Sequence, residues 1–158
     1  MRSMTRFVIA GAFVLGLTVG WVVRGDGGAL QAQAPLKPFM MQRIYTGADG
    51  LSHVEQIELN AQSVMEKVTK VSVNVAKPGN FSDYHVAPER RYIINLTDGG
   101  QLQLADGTFR FPAGSIEYID DLTGKGHTTA NVGKEPRVSL VLQLAEQKQT
   151  IGPIGGRK

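Results

Sequence analysis

The chain has 158 residues, 42% of them hydrophobic, which is enough for one domain with a sizeable core. It has no cysteine, which excludes disulfides, thiolate metal sites and a cysteine nucleophile. Its formal charge of +3 is partly N-terminal, and the body carries no lysine- or arginine-rich run, so nucleic acid is excluded as a partner.

Arg2 and Arg6 precede an uncharged apolar stretch, Phe7 to Val23, and the small-residue pattern Ala32-Gln33-Ala34 follows. This order of charge, apolar run and small residues predicts an export signal. The same run, at the lower edge of a bilayer-spanning length, also suits an uncleaved single-pass anchor helix formed by residues 7–23. In both cases residues 1–34 are a targeting segment, and the domain works outside the cytoplasm, in the periplasm or beyond. The membrane is then touched only through that segment.

Residues 35–42, with Pro35 and Pro38, read as a linker. From residue 43 the pattern is β-rich. Val71–Val75, Tyr92–Leu96, Leu102–Leu104, Phe109–Phe111, Ile116–Ile119 and Val138–Leu142 are short alternating or β-branched runs. Turn residues separate them at Lys77–Asn80, Asp98–Gly100, Ala105–Gly107 and Pro112–Gly114. Asp106-Gly107 predicts a tight hairpin, because glycine supplies the positive φ. Asn60 to Val68 predicts one short helix capped by Asn60. Residues 146–158 read as a flexible, glycine-rich tail. Short strands with turns at this cadence indicate a sandwich or barrel.

The chemistry-bearing residues are few. Of the three histidines, His85 and His127 each follow a glycine at short spacing, Gly79-x5-His85 and Gly124-x2-His127-x3-Asn131. Imidazole is the commonest metal ligand and the side chain that titrates near neutrality. Asp120 and Asp121 are adjacent acids that read as a water-facing loop or a general base. No Gly-x-Ser-x-Gly elbow is present.

These two glycine–histidine motifs, with the turn at Asp98-Gly99, resemble the two signature motifs of the cupin superfamily. Arg43–Gly47, Ser52-His53, His85–Pro88 and Asp121–His127 look like a group of small single-domain cupins. The resemblance implies an all-β fold over residues 43–145, a double-stranded β-helix barrel of jelly-roll type. It implies a divalent metal, Fe, Mn, Zn or Ni, held by three histidines and a glutamate inside the barrel. Here His85 and His127 occupy two of those positions, while Ala87 and Arg91 stand at the second histidine and the glutamate. A shifted register makes His85 the second histidine and adds Asp83 and Glu89, an O/N set suited to Fe(II) or Mn. His53 is a further candidate for the missing imidazole. Arg91, Tyr84 and Tyr92 are candidate ligand-binding residues, although an arginine at position 91 also suits pairing with Asp120 or Asp121.

The expected function is small-molecule binding in the barrel, with a divalent metal on His85 and His127. If the protein is an enzyme, the resemblance implies a metal-dependent oxidoreductase or isomerase. The alternative is a metal-free module gripping an organic anion through Arg91. A homodimer accords with the resemblance.

Overall fold

A computed structural model of the protein describes residues 37–60, 63 and 65–154. The targeting segment expected at 1–34 lies outside them. The described residues form ten strands and no helix: β1 Phe39–Thr46, β2 Ser52–Leu59, β3 Val68–Ala76, β4 Phe81–His85, β5 Arg91–Asn95, β6 Gly100–Leu104, β7 Gly107–Phe111, β8 Ile116–Asp120, β9 His127–Asn131 and β10 Arg137–Leu144. They make a six-stranded sheet, ordered β2-β1-β8-β5-β10-β3, and a four-stranded sheet, ordered β4-β9-β6-β7. Only β1–β8 is a parallel pair. Without the β1–β2 hairpin, eight strands remain in the antiparallel orders β3-β10-β5-β8 and β4-β9-β6-β7. Those are the two facing sheets of a jelly roll.

Strand alternation decides which residues meet between the sheets. In β8, Glu117 and Ile119 face inward, while Tyr118 and Asp120 face outward. Inward residues Ile44, Leu102, Leu104, Phe111 and Ile119 form an apolar cluster that fills one end of the sandwich. At roughly 25 cal/mol per Å² of apolar surface, this cluster is the main source of cohesion between the sheets. The other end, between β3, β10, β4 and β9, is not filled. It holds the cavity described below.

The outer face of the six-stranded sheet carries a second cluster, Met41, Tyr92, Tyr118 and Leu144. Two irregular segments tie in over this face. The Glu66 amide donates to the Tyr92 hydroxyl at 3.4 Å, and the Ala145 amide donates to the Lys67 carbonyl at 2.8 Å. Arg43, fully buried, reaches the carbonyls of Thr150 at 2.6 Å and Gly152 at 2.9 Å.

Three expectations change. The barrel begins at Phe39, so part of the expected 35–42 linker is strand; Pro38 needs no donor at a strand start, and Met41 is buried. Residues 146–154 are not a loose tail, because Arg43 and Glu55 hold their backbone. Val68 opens β3 and 65–67 are irregular, where a helix from Asn60 to Val68 was expected; residues 61, 62 and 64 lie outside the described set.

Candidate binding site

β4 and β9 are antiparallel neighbours, and His85 stands directly opposite His127. Their ring centroids are 4.9 Å apart, with the planes tilted by 54°. Gly126 makes this approach possible. It sits at φ +75° immediately before His127, and a Cβ there would collide with the His85 carbonyl. Gly126→Ala is therefore expected to cost at least about 1 kcal/mol from backbone strain alone. It should also push β4 from β9. Denaturant unfolding checks the first effect; the imidazole NMR shifts of His85 and His127 check the second.

Both imidazoles are oriented from behind. His127, 2% exposed, places Nδ1 2.6 Å from Asp121 Oδ2. Ser52 Oγ donates to the same carboxylate oxygen at 2.7 Å. His85 Nδ1 lies 2.7 Å from the Asp83 carbonyl. A carboxylate and a carbonyl only accept, so the proton on each ring is at Nδ1. Each Nε2 is then left for the cavity that both rings line.

That cavity has a volume of about 440 Å³, and its polar wall includes His85, His127, Glu89, Arg91, Glu117 and Arg137. Glu117 and Arg137 neutralise each other at 2.6 Å. The Asn95 side chain bridges them, accepting from Arg137 at 2.7 Å and donating to Glu117 at 2.6 Å. Burial pushes the Glu117 carboxyl up, and Arg137 pulls it back. Arg91 differs. Its Nε is buried without a hydrogen-bond partner. Burial holds its guanidinium below the usual arginine range, opposed by the nearby charges of Glu89, Asp121 and Glu117. Among the described residues it forms no ion pair closer than 4.0 Å. Asp120, suggested as its partner, is taken by Arg90 at 2.7 Å and Arg43 at 2.6 Å on the opposite face.

Several expected site residues lie elsewhere. Tyr92 follows Arg91 in the strand and so points to the outer face, into the cluster with Tyr118. Tyr84 is exposed, with the Lys125 ammonium 4.4 Å from its ring centroid. The β4–β9 register breaks between Ser82 and His85, which cancels the alternation expected to align Asp83 with His85. The Asp83 carboxylate instead accepts from the Tyr84 amide at 2.8 Å. Asp120 and Asp121 are both fully buried rather than water-facing, one on each side of the sheet. Ser52, Glu117 and Arg137 are the site residues that pattern reading missed; Asp121 was read as a loop acid, a general base or a partner of Arg91, not as the partner of His127. The one signal for Glu117 was a charge at an inward position of an apolar strand.

His53 does not join the cavity. Its Nδ1 lies 2.9 Å from Asp106 and its Nε2 3.1 Å from Asp49, at the tips of two hairpins. The Asp106 hydrogen bond raises its pKa, burial opposes this, and the Asp49 bond adds to it. A raised folded-state pKa stabilises fully below the unfolded value, about 6.5, and loses that contribution as pH rises through the folded one. The thermal stability of the wild type should thus exceed that of His53→Gln below about pH 6.5, and the gap should close at alkaline pH. A melting-temperature series against pH for both proteins checks this.

The donor set can be tested against the metal that the sequence resemblance implies. Only His85 and His127 come together. Ala87 is buried in the apolar cluster, and Arg91 brings a positive charge where a carboxylate ligand would stand. Glu89 lines the cavity, but Asp83 and His53 are engaged elsewhere. Among the described residues, no three histidine, aspartate or glutamate side chains group to hold a metal ion. The four-ligand centre does not fit these residues.

No family model and no curated protein matches the chain. Solved structures do. One is a conserved protein of unknown function, SPY1581, from Streptococcus pyogenes, at 15% identity and TM-score 0.41, covering 54% of this chain and 71% of that one. Another is a cupin domain from Bordetella pertussis Tohama I, at 16% identity and TM-score 0.39, covering 72% of this chain and 100% of that one. The capsular polysaccharide assembling protein CapF from Staphylococcus aureus matches at 17% identity and TM-score 0.38, over 52% of this chain and 25% of that one.

Proposed function

We propose that this chain is a cupin-type binding protein whose barrel takes a small polar organic anion without needing a resident metal. The observation that carries the reading is Arg91. A guanidinium with a buried, unpartnered Nε on a cavity wall is an incomplete hydrogen-bond set. A carboxylate completes it in the bidentate geometry that suits arginine. The two Nε2 atoms and Glu89 supply further polar partners, so the favoured ligand carries hydroxyl or amino donors beside its carboxylate. Hydroxy acids and sugar acids have that chemistry. The volume of about 440 Å³ accommodates molecules of their size. The charge and hydropathy order of residues 1–34 supports placing this activity outside the cytoplasm, in an exported or membrane-anchored protein.

The test is a thermal-shift and calorimetric screen of the full chain against gluconate, galacturonate, malate and inorganic phosphate, with elemental analysis of the same sample. Stabilisation by at least one carboxylate, in metal-depleted protein, is expected. The reading falls if no carboxylate binds, or if binding appears only after Fe(II), Mn(II) or Zn(II) is added. The second outcome would restore His85 and His127 as metal ligands.

A further inference from the structure

The residues that would bind the ligand also include the parts of a base. His127 is buried and its Nδ1–H is fixed by a fully buried carboxylate at 2.6 Å. That carboxylate is itself held by the Ser52 hydroxyl at 2.7 Å. Such backing locks the tautomer that presents the Nε2 lone pair, and it faces the positive charge that appears when Nε2 takes a proton. The same lone pair that accepts a hydrogen bond from a bound ligand can take a proton from one. Arg91, on the same wall, supplies a fixed cation without an ion-pair partner among the described residues. A base and a fixed cation at one cavity are the two components of proton abstraction next to a carbonyl.

The geometry points to a proton-transfer activity. His127, positioned by Asp121, removes a proton from the carbon beside the carbonyl of a carboxylate held by Arg91. In this step the C–H bond breaks and its proton goes to His127 Nε2. The electron pair moves into the carbonyl, whose oxygen becomes an enolate stabilised by the guanidinium. Returning a proton from the imidazolium to the same face of the carbon restores the substrate, with its hydrogen exchanged for one from solvent. No oxidant, reductant or metal enters the balance. His127 and Arg91 touch the substrate; Asp121 is a positioning residue. The inference rests on the binding reading above, because without Arg91 as anchor the carbon is not presented.

The test is hydrogen–deuterium exchange in D2O, followed by proton NMR, on pyruvate, 2-oxoglutarate and 2-ketogluconate with the full chain after metal depletion. Exchange beside the carbonyl of at least one probe is expected about a hundredfold above the buffer rate. His127→Gln should return it to the buffer rate. Asp121→Asn should lower it and shift its pH profile, which a purely structural aspartate would not do. His53→Gln should exchange like wild type. If either buried variant fails to fold, Arg91→Met decides, and exchange must fall there too. The proposal is overturned if no probe exchanges above buffer, if exchange survives His127→Gln or Arg91→Met, or if it needs added metal. Carboxylate binding with no exchange removes this inference and leaves the binding reading intact; loss of both removes both.

Discussion

Arg91→Met is expected to weaken carboxylate binding by roughly 30- to 1,000-fold while leaving the ligand-free protein as stable as wild type, or about 1 kcal/mol more stable. Methionine keeps the apolar stem that packs in the wall and removes a guanidinium whose Nε has no partner. In the free protein that group is a liability, since burial disfavours its charged form. In the complex it becomes the anchor. Truncating one partner of a buried charge-assisted pair costs about 2–4 kcal/mol, roughly 30- to 1,000-fold in affinity. Calorimetry with the carboxylate found in the screen measures the affinity, and urea unfolding of both proteins measures the stability. A variant that is destabilised by more than about 2 kcal/mol and still binds normally would assign Arg91 to structure instead.

Strand alternation explains both what was legible in the sequence and what was not. The apolar runs from Val71 to Leu142 fall within strands except for Leu96, one residue past β5, and the hairpin expected at Asp106-Gly107 joins β6 to β7, with Gly107 at φ +124° opening β7. The His85–His127 pair was legible through the motif spacings from Gly79 and Gly124; the glycine that permits its approach is Gly126, which adjoins His127 and packs on the His85 carbonyl. Other parts needed the third dimension. β2 hid because Glu55, Gln56 and Glu58 interrupt its apolar residues on a strand at the sheet's edge. Arg91 and Tyr92 could not both line one cavity, since neighbours in a strand point to opposite faces. The same rule separates Asp120 from Asp121. Asp83 failed for the opposite reason, because a register break suspended the alternation. Asp121 as the partner of His127 was invisible, because a loop, not a strand, brings them together.

The largest stability effect is expected at Asp120→Ala, which should cost about 3–5 kcal/mol. Asp120 is fully buried and binds two arginines at once. Its Oδ2 accepts from Arg43 Nη2 at 2.6 Å and Nε at 3.1 Å, and its Oδ1 accepts from Arg90 Nε at 2.7 Å. The two guanidiniums also meet Glu55 at 2.6 Å and Glu66 at 2.7 Å, but both of those acids lie nearer solvent. Removing Asp120 leaves two buried cations sharing less negative charge, and neither can shed its proton at accessible pH. The damage should extend along the chain. Arg43 holds the carbonyls of Thr150 and Gly152, Arg90 holds that of Glu146 at 2.8 Å, and the Thr150 amide leans on Asp120 itself at 3.3 Å. Residues 146–152 should therefore loosen before the barrel does, and limited proteolysis should cut there in the variant under native conditions. Arg110→Ala, an exposed position on β7, is the control and should stay within about 0.5 kcal/mol of wild type. Urea unfolding ranks the variants. An Asp120→Ala protein that unfolds at the wild-type midpoint, with its C-terminal residues uncut, would show that the outer face is held by the Met41–Tyr92–Tyr118–Leu144 cluster alone.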